Sequence, residues 1–252
     1  MRLAVLWGFL YLFAGVGYAA EMPLSAGSLV GMMQQARYSA GFEARMNVFV
    51  RKSDGSLLTP FKLAIIGQST PERQRLLIRG IAPEILHGRF YAIEHKRDGG
   101  IRVAGARDDA ELAPYARIFD SALRAGDMLA PWWDWPRQSL EGREQINGRE
   151  CLIARSFTDE QSSAVREVES CVDQNAKLAL RTRLYDGRHM LLRTLTVDAV
   201  MQNGGRLMAK KLSISEGKAV TRLEIYAGDQ EYEIGAETFS VLDRLMHNEQ
   251  QR

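Results

Sequence analysis

The segments Arg149–Phe157 (RECLIARSF) and Ala164–Val172 (AVREVESCV) decide the fold, because both alternate apolar and polar residues around a polar turn centred near Gln161. That alternation is typical of half-buried strands, so the two segments are predicted to form an antiparallel hairpin. The turn gives three favourable cross-strand pairs, namely Cys151 with Cys171, Arg155 with Glu167, and Phe157 with Val165. Directly opposed partners stabilise a ladder, and their agreement favours this register.

Tight turns extend this hairpin into a longer antiparallel meander. The segment Leu178–Tyr185 turns at Asp186-Gly187 into His189–Val200, and Asn203-Gly204-Gly205 then leads into Leu207–Ser215. Asp-Gly and Asn-Gly pairs are typical of two-residue hairpins, because type I′ turns need a positive φ at both central residues. The rest of the chain must therefore cover or extend a sheet.

The N-terminal half is predicted to be a second meander. Alternation along Phe42–Arg51 places its apolar side chains on one face, as in a half-buried strand. Further strands are predicted at Leu57–Ile66, Arg73–Arg79, Arg89–His95, Ile101–Ala104 and, after the central meander, Ala219–Ala227. Because no linker separates the two halves, we expect one continuous sheet in a single domain over residues 21–252.

The segment Pro114–Ala125 interrupts the strand pattern. Its apolar residues recur at helical spacing, a proline suits the first helical turn, and Gly126 suits the C-terminal cap. We therefore predict an amphipathic helix here, whose apolar stripe docks on a face of the sheet. Shorter helices are predicted from a Ser25 cap to Tyr38 and over Thr238–Met246.

Residues 1–20 have the three parts of a secretory signal peptide, which are Met1-Arg2, the apolar run Leu3–Val16, and Gly17-Tyr18-Ala19-Ala20. Cleavage is expected after Ala19 or Ala20. A membrane anchor is the alternative, but the apolar run is shorter than the roughly 20 residues that a spanning helix needs. No cysteine near the cleavage site offers a lipid attachment point. We therefore expect a soluble protein exported to the periplasm.

Export bears directly on the two cysteines of the chain. In an oxidising compartment Cys151 and Cys171 can form a disulfide, and the hairpin register brings them face to face. Two buried free thiols are the alternative.

The sequence gives little support to catalysis or to a metal site. Its four histidines are isolated, and it contains no His-Glu-x-x-His or Cys-x-x-Cys motif and no serine in a Gly-x-Ser-x-Gly elbow. The pair Asp108-Asp109 is more typical of a solvated loop than of an acid–base site. The net charge is +2, and no basic run is interleaved with aromatic residues, which argues against nucleic acid as a partner. We therefore predict a protein that is not an enzyme and that needs no cofactor or metal.

The apolar residues are more informative about function. Plain core packing explains each of them singly, but a wide curved sheet covered by helices also leaves room for an apolar cavity. Such cavities suit acyl chains, because burial contributes about 0.8 kcal/mol per methylene group. The predicted ligand-binding residues are Met46, Val48, Phe61, Leu63, Ile65, Phe90, Phe119, Trp132 and Trp133.

Several short motifs resemble those of the outer-membrane lipoprotein-sorting family, whose members are LolA-like. The motifs are, in chain order, Gly126-Asp127-Met128-Leu129, Trp133-Asp134-Trp135-Pro136, Gly142 through Gly148-Arg149-Glu150-Cys151, Val168 through Val172-Asp173, and Tyr185-Asp186-Gly187. The resemblance implies a mainly β fold of the α+β type. It is a curved antiparallel β-sheet, or incomplete β-barrel, with covering helices on its concave side. It also implies a periplasmic cavity that accepts acyl chains.

Two functions follow from this fold and remain open at the level of the sequence. The first is a non-enzymatic carrier or binder of lipid or lipoprotein acyl chains, acting in outer-membrane lipoprotein sorting, with an inner-membrane transporter or membrane-anchored protein as a possible partner. The second is an envelope-stress sensor or protein-interaction module on the same fold. Both need an apolar cavity, so the sequence does not separate them.

Overall fold

The computed structural model describes residues 25–97, 100–105, 111–160, 163–203 and 205–244. The sequence predictions that lie outside these ranges, wholly or in part, are the signal peptide at residues 1–20, the acidic pair Asp108-Asp109, the turn residues Gln161 and Gly204, and the end of the helix predicted over Thr238–Met246.

Within the described residues the chain forms one antiparallel sheet of 13 strands that is not closed into a barrel. The strands are β1 (Ser39–Arg51), β2 (Phe61–Ser69), β3 (Arg73–Ala82), β4 (Phe90–Lys96), β5 (Ile101–Gly105), β6 (Glu111–Leu112), β7 (Arg137–Ile146), β8 (Arg149–Phe157), β9 (Glu167–Asp173), β10 (Leu178–Tyr185), β11 (Leu191–Asn203), β12 (Arg206–Glu216) and β13 (Ala219–Asp229). Their order in the sheet is β6-β5-β4-β3-β2-β1-β13-β12-β11-β10-β9-β8-β7. The predicted fold class, a mainly β structure with an incompletely closed antiparallel sheet, is confirmed.

The first and last strands of the chain meet in the middle of this sheet. The meanders β1–β6 and β7–β13 join where β1 pairs with β13, with Met46 opposite Ile225 and Val48 opposite Leu223. As a result β6 and β7, which the chain visits one after the other, lie at opposite edges of the sheet. The alternation predicted for β1 is also confirmed, because Met46, Val48 and Val50 are buried together in one cluster. We call the face that carries this cluster the inner face.

Helix α1 (Ala26–Ala36) covers part of the inner face. The hydroxyl of Ser25 accepts a hydrogen bond from the backbone N–H of Ser28 at 3.1 Å, which caps the helix as predicted. Its buried residues Leu29, Val30 and Met33 pack with inward-facing side chains of the second meander. Residues 240–244 are also helical, and they lie on the outer face, where their cluster includes Leu77, Ala92 and Ala104.

The predicted helix at Pro114–Ala125 is wrong. Residues Arg117 and Arg124 form an antiparallel bridge instead, and Phe119 and Asp120 adopt left-handed φ values of 49° and 54°. The apolar residues that suggested a helix are buried, but tertiary contacts determine the backbone conformation of the segment, and that conformation is not helical. The hydroxyl of Ser121 donates to the carbonyl of Ile118 and accepts from the N–H of Leu123, so it replaces bonds that a helix would make internally.

The hairpin of β8 and β9 is confirmed, but its predicted register is wrong by two residues. Arg155 lies opposite Glu169, and Phe157 lies opposite Glu167. A shift of two residues keeps every side chain on its predicted face, because side chains alternate with a period of two. The disulfide is therefore formed as predicted, but between diagonal neighbours. Cys151 bonds to Cys171 with their Cα atoms 5.2 Å apart.

Strand β7 (Arg137–Ile146) has no counterpart among the predictions. Its alternation is interrupted at Gly142, where φ is 149° and the register with β8 shifts. Much of the strand is exposed, as expected for an edge. The interruption at Gly142 and the exposure of the strand together removed the apolar–polar alternation by which the neighbouring strands were predicted.

Candidate functional site

Residues 113–136, which we call the strap, connect β6 to β7 and therefore have to cross the inner face. Successive residues of the strap contact different strands of the sheet. The ring of Phe119 lies 5.1 Å from that of Tyr91 on β4 and 6.0 Å from that of Phe61 on β2, measured between centroids. Further along, the N–H of Ala122 donates to Oγ1 of Thr221 on β13 at 2.8 Å. The strap thus occupies the face on which the sequence predicted an acyl ligand.

Apolar side chains of the strap complete the core of the inner face. Those that belong to the same buried cluster as the inward-facing residues of β1 and β2 are Ile118, Phe119, Ala122, Leu123, Ala125 and Leu129. Trp132 and Trp133 continue this packing against α1 and the strands β8–β10. Each large apolar side chain buried in this way contributes about 1.5–3 kcal/mol to folding, so the strap is a substantial part of the core.

A buried ion pair holds the middle of the strap. The carboxylate of Asp127 accepts hydrogen bonds from the guanidinium of Arg193 on β11, and their side chains are 0% and 6% exposed. The ring of Tyr115 lies 5.5 Å from the same guanidinium. Burial, reinforced by the negative charge of Asp127, raises the pKa of Tyr115 to about 12. Burial also raises the pKa of Asp127, while the bonds from Arg193 oppose that change.

A second ion-pair group joins the turn at residues 117–124, which we call the strap tip, to the end of β12. Nη2 of Arg124 lies 2.5 Å from Oε1 of Glu216, and Nη2 of Arg117 lies 3.1 Å from Oε2. The two arginines are the bridged residues of the strap, so one carboxylate clamps both sides of its turn. These side chains are partly exposed, so the clamp is weaker than the buried pair.

A third polar group joins the end of the strap to α1. The carboxylate of Asp134 accepts hydrogen bonds from Arg37 at 2.5 Å and from Gln34 at 3.2 Å, and Gln34 also donates to the carbonyl of Trp133 at 2.7 Å. Nδ1 of His95 on β4 lies 3.8 Å from the same carboxylate. Burial lowers the pKa of His95, with Asp134 opposing the shift. The aromatic motif around Asp134 therefore serves as an anchor.

Eight of the nine predicted ligand-binding residues lie on the inner face. The structure places Met46, Val48, Phe61, Leu63, Ile65 and Phe119 in one buried cluster, and Trp132 and Trp133 in the adjacent one. The ninth, Phe90, packs on the outer face with Ala92 and Phe239. Whether the eight contact a ligand stays a prediction, and all eight belong to buried clusters that include residues of the strap.

The polar residues that hold the strap were missed by sequence reasoning. A signal existed for Arg193, because it falls in phase with the inward-facing Leu195 and Val197 along β11. A charged residue at an inward position indicates a buried partner, since an unpaired charge there is costly. The sequence did not identify that partner, because Asp127 was interpreted only as part of the motif Gly126-Asp127-Met128-Leu129, with no contact assigned to it.

No metal-binding cluster of three or more His, Cys, Asp or Glu side chains occurs among the residues that the structure describes. A cavity of about 190 Å³ lies beside the disulfide, lined by Glu150, Cys151, Leu152, Val172, Gln174 and Asn175. None of the predicted ligand-binding residues lines it. Its volume is below the range of about 300–1,000 Å³ that is usual for ligand pockets.

Comparison with known proteins gives a family and a fold. A family model described as "Uncharacterized protein" matches residues 111–241, more than half of the chain. The match includes the strap and all of the second meander. No curated protein matches the sequence significantly. In the described part of the chain, no helix is both long and apolar enough to cross a membrane.

Three solved structures share the fold at low sequence identity. A DUF1329 family protein from Desulfovibrio piger superposes with a TM-score of 0.76 at 15% identity, over 85% of this chain and 95% of that one. A putative outer membrane lipoprotein-sorting protein domain from Vibrio parahaemolyticus gives 0.73 at 13% identity, over 83% and 94%. A LolA superfamily protein from Nitrosomonas europaea gives 0.66 at 14% identity, over 85% and 97%. The predicted LolA-like fold is confirmed.

Proposed function

The chain belongs to the family of uncharacterized proteins whose model matches residues 111–241, and we propose that it is a periplasmic, non-enzymatic binder of lipid or lipoprotein acyl chains. The observation that carries this proposal is the strap. It is a separate segment whose apolar side chains lie along the inner face, where an acyl chain would lie, and three polar groups hold it there. A ligand of matching chemistry can take the place of the apolar side chains at the strap tip.

The proposed binding mode is an exchange of apolar surface. An acyl chain entering the inner face recovers about 0.8 kcal/mol per buried methylene, and this offsets the packing energy that Phe119 and its neighbours give up as they withdraw. The Glu216 clamp is partly exposed and opens at low cost, while the buried Asp127–Arg193 pair keeps the rest of the strap in place. Only the tip of the strap has to move.

Export and partners follow from the same proposal. Residues 1–20 would direct the chain to the periplasm, where the Cys151–Cys171 disulfide is stable. The cargo would be a lipid or the acyl chains of a lipoprotein. An inner-membrane transporter or a membrane-anchored protein would supply or receive it. The likeness to the lipoprotein-sorting domain supports this assignment through the fold alone.

An envelope-stress sensor or interaction module is the second candidate, and one observation favours it. The strap already fills the inner face with its own side chains, six of which belong to the main buried cluster. If the strap never leaves, a partner has to bind the loops, the edges or the outer face of the sheet.

Titration of the mature protein with a fluorescent fatty acid tests the proposal. We expect saturable binding by the wild type, and a clear change in affinity for Phe119→Ala, which removes the ring between Tyr91 and Phe61. Arg137→Ala is the control, because Arg137 is exposed at the start of β7 and lies outside the strap. Ser121→Ala is unsuitable, because the hydroxyl of Ser121 organises the turn of the strap. We expect Arg137→Ala to bind as the wild type does. If Phe119→Ala and Arg137→Ala change the affinity for the fatty acid equally, the strap takes no part in binding. If the wild type binds no fatty acid, the interaction module is favoured instead.

A further inference from the structure

Three loops that expose apolar side chains lie at the same end of the sheet. Residues 52–60 join β1 to β2, residues 83–89 join β3 to β4, and residues 186–190 join β10 to β11. Because β3 ends beside the start of β2, β1 ends beside the start of β13, and β12 ends beside the start of β11, the register brings all three loops to one end. Four of the six large hydrophobic residues exposed in the described structure lie there, and we call them the apolar rim: Leu57, Ile85, Met190 and Leu191.

Two of the three loops, and the start of β11 directly after the third loop, each carry an apolar doublet that points in two directions. The first members, Leu57, Ile85 and Leu191, are 76%, 80% and 52% exposed. The second member of each doublet turns inward and packs with the core clusters of the inner face, as Leu58, Leu86 and Leu192 do. The inward residue anchors the loop, so the outward residue is held in solvent by a fixed backbone.

The tip of the strap lies at the same end. Phe119 packs against Tyr91 at the start of β4, and the guanidinium of Arg89 lies 5.4 Å from its ring. On the other side, Arg124 pairs with Glu216, the last residue of β12. The rim therefore borders the end of the inner face that the strap tip closes.

We propose that the apolar rim docks this end of the molecule onto the surface of a lipid bilayer, and this inference rests on the proposed acyl-binding function. The rim residues are carried by separate loops and by the start of β11, side by side along the end of the inner face, which suits insertion into a fluid surface better than a matched protein groove. Docking would place the movable strap tip against the source of acyl chains, so a chain could enter without crossing water.

Charge at this end adds little to the proposed contact. Lys52, Arg188 and Lys218 are exposed at this end, where Asp54, Glu84 and Asp186 also lie. The carboxylates of Asp54 and Asp186 accept hydrogen bonds within their own turns. We therefore expect apolar insertion to dominate, with weak dependence on salt and on anionic lipid.

Flotation of the mature protein with phosphatidylethanolamine–phosphatidylglycerol vesicles tests the inference. We expect the wild type to float, and the double variant Leu57→Ser, Ile85→Ser to bind at least about tenfold more weakly. A second double variant, Met190→Ser with Leu191→Ser, should do the same. Tyr226→Ser is the matched control, because Tyr226 is 48% exposed on β13 but lies outside the three loops, and it should float as wild type does.

The outcomes separate this inference from the proposed function. Rim variants that lose vesicle binding but still bind a fatty acid in solution support both. Wild-type protein that binds the fatty acid but does not float overturns only the docking. Wild-type protein that floats but does not bind the fatty acid supports membrane docking by the rim and overturns the proposed acyl-binding function. A wild-type dimer that Ile85→Ser converts to a monomer overturns the docking, because the rim is then an interface between copies of the chain.

Discussion

Asp127 of the strap and Arg193 of β11 form an ion pair with both side chains almost fully buried. Removing one partner from such a pair leaves a charge without compensation in the core, which typically costs about 3–5 kcal/mol. We therefore expect Asp127→Asn to lower the free energy of unfolding by about 3 kcal/mol, because Arg193 keeps its charge beside a neutral amide. Urea denaturation followed by tryptophan fluorescence measures the change.

The exposed pair of Arg143 and Glu150 is a suitable control for this experiment. Its nitrogen and oxygen lie 2.5 Å apart, but its side chains are 67% and 64% exposed. Surface pairs of this kind contribute at most about 1 kcal/mol, so Glu150→Gln should leave stability almost unchanged. Equal losses for Asp127→Asn and Glu150→Gln would mean that the strap is not held by a buried charge.

The left-handed backbone of Asp120 predicts which of two substitutions, to glycine or to alanine, gives the more stable protein. Its φ is 54°, a conformation that glycine adopts freely and alanine does not. Asp120→Gly should therefore be more stable than Asp120→Ala by about 1 kcal/mol in thermal or urea unfolding. A helix at this position would reverse the order, because alanine is then favoured by about 1 kcal/mol. Greater stability of the alanine variant would contradict the structure of the strap tip.

The sheet was largely predictable from the sequence because most of its strands carry the same local signal. Alternation with a period of two and Asp-Gly or Asn-Gly turns identified most of both meanders. Register was less certain, since the slip of two residues between β8 and β9 preserves every face and so leaves the alternation unchanged. Arg155 shows the ambiguity directly, because it lies 2.9 Å from Glu167 and 3.3 Å from Glu169.

The strap was not predictable in the same way because its conformation depends on distant strands. Ile118, Phe119, Ala122 and Leu123 were correctly expected to be buried, but helical spacing arose by coincidence with a turn that buries the same residues. The bonds that fix this turn come in part from Thr221, which is 99 residues away from Ala122 in the chain. Local propensity is overridden wherever a segment packs against a preformed face.

The buried ring of His95 predicts a dependence of stability on pH. Burial lowers its pKa below the ordinary 6.5, so the unfolded chain binds a proton that the folded chain resists. Stability therefore falls as the pH drops below 6.5 and continues to fall until the folded pKa is reached. Substitution His95→Gln should remove part of this slope in unfolding curves measured across that range. His87→Gln, at an exposed histidine, should retain the slope, and a slope equal in all three proteins would rule out His95 as its source.

The disulfide between Cys151 and Cys171 closes a loop with a sequence separation of 20 residues, between strands near the free edge at β7. Loops of this size are expected to contribute about 3 kcal/mol, mainly by restricting the unfolded chain. We expect Cys151→Ser and Cys171→Ser each to lower the free energy of unfolding by roughly 2–5 kcal/mol. The double variant should resemble either single one, because all three lack the same bond. Reductant should bring the wild type to the level of the variants and leave the double variant unchanged. If reductant destabilises the double variant as much as the wild type, the effect does not come from this bond, since the chain has no other cysteine.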